Sequence, residues 1–216
     1  MPKDKNWDLS RRDFIKAGLV STAGLILVAC DTDGDEQSEA PLNYSTATPE
    51  TGTLQLEPTP QCDDHDETAS QTEGPFYTPD TPERTSLLEE GISGTTLLVT
   101  GKVLTTDCQP IAGAVLDFWH TDDAGNYDNE GFGLRGHQFT DANGHFRLET
   151  IVPGLYPGRT RHIHVKVQGP DTVLLTTQLY FPGEAGNEED DIFDKALLMD
   201  VADDGDSKTA VFNFVL

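Results

Sequence analysis

Polar and apolar residues alternate in short runs through the second two-thirds of the chain. Clusters of Gly, Asp, Asn and Pro such as Asp141-Ala142-Asn143-Gly144 separate the runs. Thr95–Leu104, Ala114–His120, His145–Ile151, His162–Gln168, Val173–Phe181 and Ala210–Leu216 are rich in Val, Leu, Thr and aromatics, and are predicted as strands. Only Ile192–Met199 reads as a short helix. Evenly spaced strands with turns between them imply an all-β fold, a two-sheet antiparallel β-sandwich with long loops and little helix. The alternation matters most in His162–Val167. Side chains alternate across a strand, so His162 and His164 share one face while Ile163, Val165 and Val167 take the other. Two imidazoles side by side, opposite an apolar face, are half of a metal site.

The first third of the chain lacks this pattern. Ser10-Arg11-Arg12-Asp13-Phe14-Ile15-Lys16 is a twin-arginine motif, and Ala17–Ala29 is an apolar run of 13 residues, short of the roughly 20 that span a bilayer. The run ends Leu27-Val28-Ala29-Cys30, which looks like a bacterial lipobox, with lipid attached to Cys30 after cleavage before it. Residues 1–29 are thus expected as an export signal of the twin-arginine and lipoprotein type, and 30–66 as a flexible acidic tether without the apolar content to order itself. Residues 67–216 are expected to form the folded domain, anchored to a membrane and facing the periplasm or cell exterior. An ordinary signal peptide with Cys30 incidental is the alternative.

Charge narrows the partners. The net charge is −24, and 9 basic against 35 acidic residues remain after the signal, since five of the 14 basic and three of the 38 acidic residues precede Cys30. Such a chain is not a nucleic-acid binder, and it meets a membrane only through the lipid anchor. The Glu188-Glu189-Asp190-Asp191 run is read as solvated surface, with a calcium site the lesser alternative.

Four segments carry the chemistry: Thr72–Tyr77 (TEGPFY), Trp119–Tyr127 (W-H-x-D-x-x-G-x-Y), Arg135–Asp141 (R-G-x-Q-x-T-D) and Pro153–His164 (P-G-x-Y-x-G-R-x-x-H-I-H). In this order, from about Thr68 to about Phe181, the chain resembles the intradiol ring-cleavage dioxygenases. The resemblance implies a non-haem Fe(III) held by two tyrosinates, Tyr127 and Tyr156, and two imidazoles, His162 and His164. It implies cleavage of a catechol-type aromatic diol with dioxygen to a muconate-type dicarboxylic acid. Tyr127 matches the tyrosinate that stays bound, and Tyr156 the one that leaves as substrate arrives. Arg159 matches an arginine that stabilises charge on the diol, and Gln178 a glutamine lining the same pocket. Phe76 and Tyr77 are candidates for one pocket wall, with simple packing the alternative. The six-residue spacing from Tyr156 to His162 is shorter than in many relatives and implies a more open pocket. Catechol-cleaving members often carry an N-terminal helical dimerisation region, which the polar tether replaces here.

The remaining cysteines, Cys62 and Cys108, are expected to pair as a disulfide outside the cytoplasm, because the candidate iron site already has four ligands. Two free thiols or thiolate ligation of a metal are the alternatives. His120, His137 and His145 are read as structural or surface residues, and His65 as solvated. Two readings compete with the dioxygenase: a non-catalytic, envelope-anchored binding module, and a copper or zinc protein using His162 and His164 alone. Tyrosines are poor ligands for zinc or cuprous ions, which disfavours the last.

Overall fold

Strand β1 (Thr96–Leu104) buries Leu97, Val99 and Val103 by alternation, and one sheet is assembled around it. On one side it pairs antiparallel with β4 (His145–Ile151). On the other the end of the chain returns parallel to it, β8 (Ser207–Val211) along its first half and β9 (Phe214–Val215) along its last two residues. The strand β7 (Asp200–Asp204) lies antiparallel to β8 at the outer edge. The second sheet is wholly antiparallel, in the order β3 (Arg135–Phe139), β2 (Val115–Trp119), β5 (His162–Gln168), β6 (Leu175–Tyr180). The computed structural model describes Cys62 and residues 66–216. The signal region, Cys30, His65 and the tether apart from Cys62 and Asp66 lie outside the described residues. The chain divides into units 1–52 and 53–216, and every described residue belongs to the second.

The two sheets are joined by one apolar core. Leu116, Phe118, Ile163, Val165, Val167 and Leu179 of the second sheet are fully buried with Val99 and Leu148 of the first. Each such side chain contributes roughly 1.5–3 kcal/mol of transfer free energy. Phe118 and Phe146 meet across the layers at 5.9 Å between ring centroids. A polar strut reinforces the join. His120, just past β2, is buried between the Thr121 carbonyl (Nδ1, 2.8 Å) and the Thr150 hydroxyl on β4 (Nε2, 2.7 Å). Along one side, Pro82–Leu87 exchanges backbone bonds with His137 on β3 and with Glu149 on β4, covering an edge of each sheet.

The sandwich matches the sequence expectation, and the local differences have physical causes. Ile192–Met199 is not a helix. Asp194 caps a single 3-10 turn, Lys195–Leu197, after which Met199 N–H bonds to the Tyr180 carbonyl and the chain is drawn beside β6. The run Ala210–Leu216 breaks at Phe212-Asn213. The Phe212 carbonyl lies where a Cβ on Gly101 would sit, 1.7 Å away, and Asn213 Oδ1 takes the Lys102 N–H in place of a backbone acceptor. The acidic β7 has no apolar alternation because it is an exposed edge. Cys62 and Cys108 are joined as a disulfide with Cα atoms 5.6 Å apart, fastening the entering chain to the β1–β2 connection.

Two loops at one end of the second sheet are pressed together through glycine. Gly154 N–H bonds to the Asp122 carbonyl at 2.7 Å. A Cβ on Gly154 would fall 2.3 Å from Gly125 N, and one on Gly125 would fall 2.2 Å from the Leu155 carbonyl oxygen. Each glycine stands two residues before a tyrosine, Tyr127 or Tyr156, so backbone contact between the loops sets the distance between the phenols. Gly154→Ala forces them apart. The expected cost is about 1–3 kcal/mol, measured by urea unfolding.

Burial lowers the titration of His120 from 6.5 to about 4, with the neighbouring His162 and Arg135 adding to the effect against the Thr121 carbonyl bond. Above 6.5 both folded and unfolded chains hold this imidazole neutral. As pH falls from 6.5 toward about 4, only the unfolded chain takes up the proton, so stability declines. The expected loss from this residue is on the order of 2 kcal/mol by about pH 5. Unfolding free energies of the wild type and His120→Gln across this range measure it; equal slopes would remove His120 as the cause.

Candidate metal centre

The face of the second sheet turned away from the core carries the candidate site, and strand register composes it. His164 on β5 lies directly opposite Trp119 on β2 and Gln178 on β6, and Trp119 lies opposite Arg135 on β3. Residues paired in this way share a face. Arg135, Trp119, His164 and Gln178 therefore form one row across all four strands, with His162 and Tyr180 paired in the next. Each of the six side chains is at most 5% exposed. They are roofed by the segment 71–77, which crosses this face: Gln178 Nε2 donates to the Thr72 carbonyl at 3.1 Å and Arg135 Nη1 to the Phe76 carbonyl at 2.6 Å.

Three donor atoms converge beneath this roof. His162 Nε2 and His164 Nε2 are 3.2 Å apart, and Tyr127 Oη lies 3.4 Å from His162 Nε2. The Tyr156 ring is 5.8 Å from the Tyr127 ring, and Phe76 packs on both, stacked on Tyr127 at 4.6 Å and edge-on to Tyr156 at 5.5 Å. The imidazoles are oriented by different means. His162 Nδ1 donates to the Thr160 carbonyl at 2.7 Å, which leaves its Nε2 lone pair free. His164 lies flat on Trp119, ring centroids 4.8 Å apart and 5° between planes, and its buried Nδ1 has no hydrogen-bond partner among the described residues.

Burial sets the charge state of these groups. It lowers His162 to about 4, and His164 falls well below its ordinary value through burial and then through His162 and Arg159. Both imidazoles are neutral at pH 7. Burial raises the Tyr127 phenol to about 12, against the opposing pull of Arg159 and Arg135. Neutral nitrogens facing each other beside a buried phenol are the arrangement that a bound cation relieves. It accepts both Nε2 lone pairs and offsets the penalty on a phenolate. Among the described residues no three His, Cys, Asp or Glu side chains gather to hold a metal; the third donor atom beside the two imidazoles is the Tyr127 hydroxyl, 3.4 Å from His162 Nε2. The residues present fit a hard, highly charged ion.

Around the donors, Arg159 is committed on two sides. Its Nε donates to Asp190 Oδ2 at 2.8 Å and its Nη2 to Gln178 Oε1 at 2.7 Å. Gln178 is thus turned onto Arg159 and the roof. Phe76 stands at the donor cluster, packed on both tyrosine rings, whereas Tyr77 lies one ring further away. The Tyr77 hydroxyl donates to buried Asp117 at 2.9 Å, and its ring packs on Trp119 beneath the Lys166 ammonium. Burial and then Asp117 raise this phenol. Asp117 itself is raised by burial, against hydrogen bonds from Thr81 and Tyr77. His137 lies against the Thr81 carbonyl and hydroxyl, and His145 pairs with Asp141, both outside the cluster.

Sequence reasoning gave no role to Trp119, Arg135 or Asp190. Trp119 was within reach of it, because Leu116 and Phe118 alternate into the core and so put Asp117 and Trp119 on the face of the histidines. The buried Arg135 also bonds to the Asp128 carbonyl at 2.8 Å and lies 5.9 Å from the centre of the Tyr127 ring. Asp190 comes from a distant loop, and nothing local marks it.

Comparisons with known proteins identify the family. A family model described as Dioxygenase matches residues 72–216. The chain is 33% identical over 141 residues to a catechol 1,2-dioxygenase of Candida albicans, covering 52% of this chain and 46% of that protein. It is 29% identical over 147 residues to a hydroxyquinol 1,2-dioxygenase of a Rhizobium species, covering 56% and 50%. It therefore spans about half the length of the curated relatives it matches. Among solved structures, the dioxygenase domain of a dioxygenase carbohydrate-binding fusion from Streptomyces sp. SirexAA-E is 56% identical with a TM-score of 0.68, covering 70% of this chain and 98% of that one. An intradiol ring-cleavage dioxygenase from Tetranychus urticae is 25% identical with a TM-score of 0.63, covering 69% and 94%. With the fold and all four motif segments in place, the chain belongs to the intradiol ring-cleavage dioxygenase family.

Proposed function

We propose that the protein is a ferric-iron-dependent dioxygenase that opens a catechol-type aromatic diol between its two hydroxyl-bearing carbons. Both atoms of O2 enter the product, a muconate-type dicarboxylic acid, so no external reductant is required. The observation that carries this reading is the convergence of His162 Nε2, His164 Nε2 and Tyr127 Oη, with Tyr156 adjacent, on one buried face. Relatives named as catechol and hydroxyquinol 1,2-dioxygenases support the diol class.

Tyr127, Tyr156, His162 and His164 would hold the metal. When bound, Fe(III) would supply Lewis acidity that favours the anionic forms of these phenols and of the diol. The chain does the rest. Tyr127, stacked under Phe76 and close to His162, is the donor that stays in place. Tyr156 is half-buried on a loop between Gly154 and Gly158, and its Oη accepts a proton from the arriving diol. The Arg159 guanidinium stabilises negative charge on the diol, and it is pre-aimed by Gln178 and Asp190 before substrate enters. Phe76 and Trp119 keep water from the donor atoms.

Tyr127→Phe is expected to abolish the broad visible absorption of a phenolate-bound ferric ion together with turnover of catechol. Absorption spectra of the ferric-loaded domain, before and after adding catechol in air, check this. A wild-type protein that stays colourless after ferric reconstitution would overturn the iron assignment and favour a binding module.

We propose further that the domain, residues 67–216, is exported by the twin-arginine route and anchored by lipid at Cys30. The motif around Arg11-Arg12, the Leu27–Cys30 lipobox and the Cys62–Cys108 disulfide support this. Cys30→Ser is expected to move the protein from the membrane fraction to the soluble fraction of cells, and an unchanged distribution would rule out the anchor.

A further inference from the structure

The acidic run Glu188–Asp191 resolves into two kinds of residue. Glu188, Glu189 and Asp191 are exposed, whereas the Asp190 side chain is turned inward and only 3% exposed. Its Oδ2 accepts from Arg159 Nε at 2.8 Å and from the Thr160 N–H at 3.0 Å, and its Oδ1 accepts from the Ile192 N–H at 3.2 Å. The Thr160 hydroxyl donates to Asn187 Oδ1 at 2.6 Å, and the Thr160 carbonyl receives the His162 Nδ1 proton. One buried carboxylate therefore holds the guanidinium and, through a single residue, the backbone that orients an imidazole of the donor cluster.

We infer that Asp190 is a positioning residue for the proposed ring cleavage, acting through Arg159 and through the Thr160–His162 contact. Three features support it. Lining one pocket requires only that Arg159 be nearby, but Asp190 and Gln178 hold two of the three nitrogens of its planar fork, Nε and Nη2. The remaining nitrogen, Nη1, has no protein acceptor among the described residues and is the group left to meet an anionic diol. A buried carboxylate opposite a half-buried guanidinium is also a poor way to gain stability, because desolvation offsets most of the attraction. What the pair supplies is a defined direction.

The inference rests on the proposed function, and the test separates the two. The ferric-loaded full chain is assayed with catechol as wild type, Asp190→Asn, Asp190→Ala, Arg159→Ala and the Asp190→Ala/Arg159→Ala double variant. Asp191→Asn, an exposed neighbour, is the control. Asp190→Ala is expected to keep its iron and lower kcat by roughly ten- to hundred-fold, the scale of a misplaced catalytic group. The double variant is expected to be no slower than Arg159→Ala by more than about twofold, because the two residues act as one unit. A second readout does not depend on turnover. Without oxygen, the visible band of the catechol complex is expected to move in the same direction in Asp190→Asn and Arg159→Ala. Should Asp190→Ala not fold, Asp190→Asn keeps an acceptor oxygen for the backbone and carries the comparison. Multiplying rate losses in the double variant, or a wild-type rate and band in Asp190→Asn, would overturn the positioning role. A wild-type chain that binds ferric iron without consuming oxygen with catechol would instead overturn the proposed function, and the positioning role with it.

Discussion

The site depends on one register, that of β5 between β2 and β6. His164 stands opposite Trp119 on one side and Gln178 on the other, and this pairing simultaneously puts Ile163, Val165 and Val167 opposite core residues. Core and site are therefore specified by the same hydrogen bonds. A slip of one residue would carry the histidines into the sandwich and three aliphatic residues out to the roof. Burying imidazoles among aliphatic side chains without partners costs several kcal/mol, and so the apolar core enforces the placement of the polar face. The strand therefore does not choose between folding and presenting its two imidazoles.

Register alone places only the two histidines. The phenols come from loops, and loops need their own constraint. Gly125 and Gly154 supply it by letting two backbones touch, with the Gly154 N–H bonded to Asp122. Phe76 then fills the angle between the two tyrosine rings. The roof segment is in turn tied down by Arg135 and Gln178, residues of the same cross-strand row that holds His164. The loops are thus referred back to the sheet at several points, which is how irregular segments come to hold groups to within fractions of an ångström.

Legibility in the sequence followed the range of the interaction. The strands were readable because alternation is local, and the two histidines because i and i+2 share a face. The G-x-Y pairs were visible as motifs, but nothing in either says that the two glycines abut. The run Ile192–Met199 read as helix because its composition permits one, whereas the Asp194 cap and the bond from Met199 to Tyr180 decide otherwise through partners up to nineteen residues away. Asp190 was hidden more thoroughly. In a run of four acidic residues, composition predicts four solvated side chains, and only the path of the chain past Arg159 makes one of them structural. The sandwich was thus legible, as were the donor types. The groups that aim the donors were not, since each acts across strands or loops.

The chain's acidity frames a last question of electrostatics. A net charge of −24 would be unfavourable for gathering the proposed anionic diol and two phenolates in one place. At physiological salt, however, exposed charges are screened over about 8 Å, so the carboxylates of β7 and of the exposed turns act weakly on the centre. Inside the site the fixed charges that act on Tyr127 are cationic. Arg135 and Arg159 both pull the Tyr127 phenol down against its burial. Asp190 would weaken that pull were its charge not spent on Arg159 and two backbone N–H groups, whose hydrogen bonds hold its carboxyl below the usual range despite the opposing effect of burial. The electrostatics of the centre are consequently set by a few buried partners rather than by the net charge. An acidic exterior and an interior cluster of phenols and imidazoles flanked by Arg135 and Arg159 are compatible in one small domain because the two are separated by low-dielectric packing and by screening.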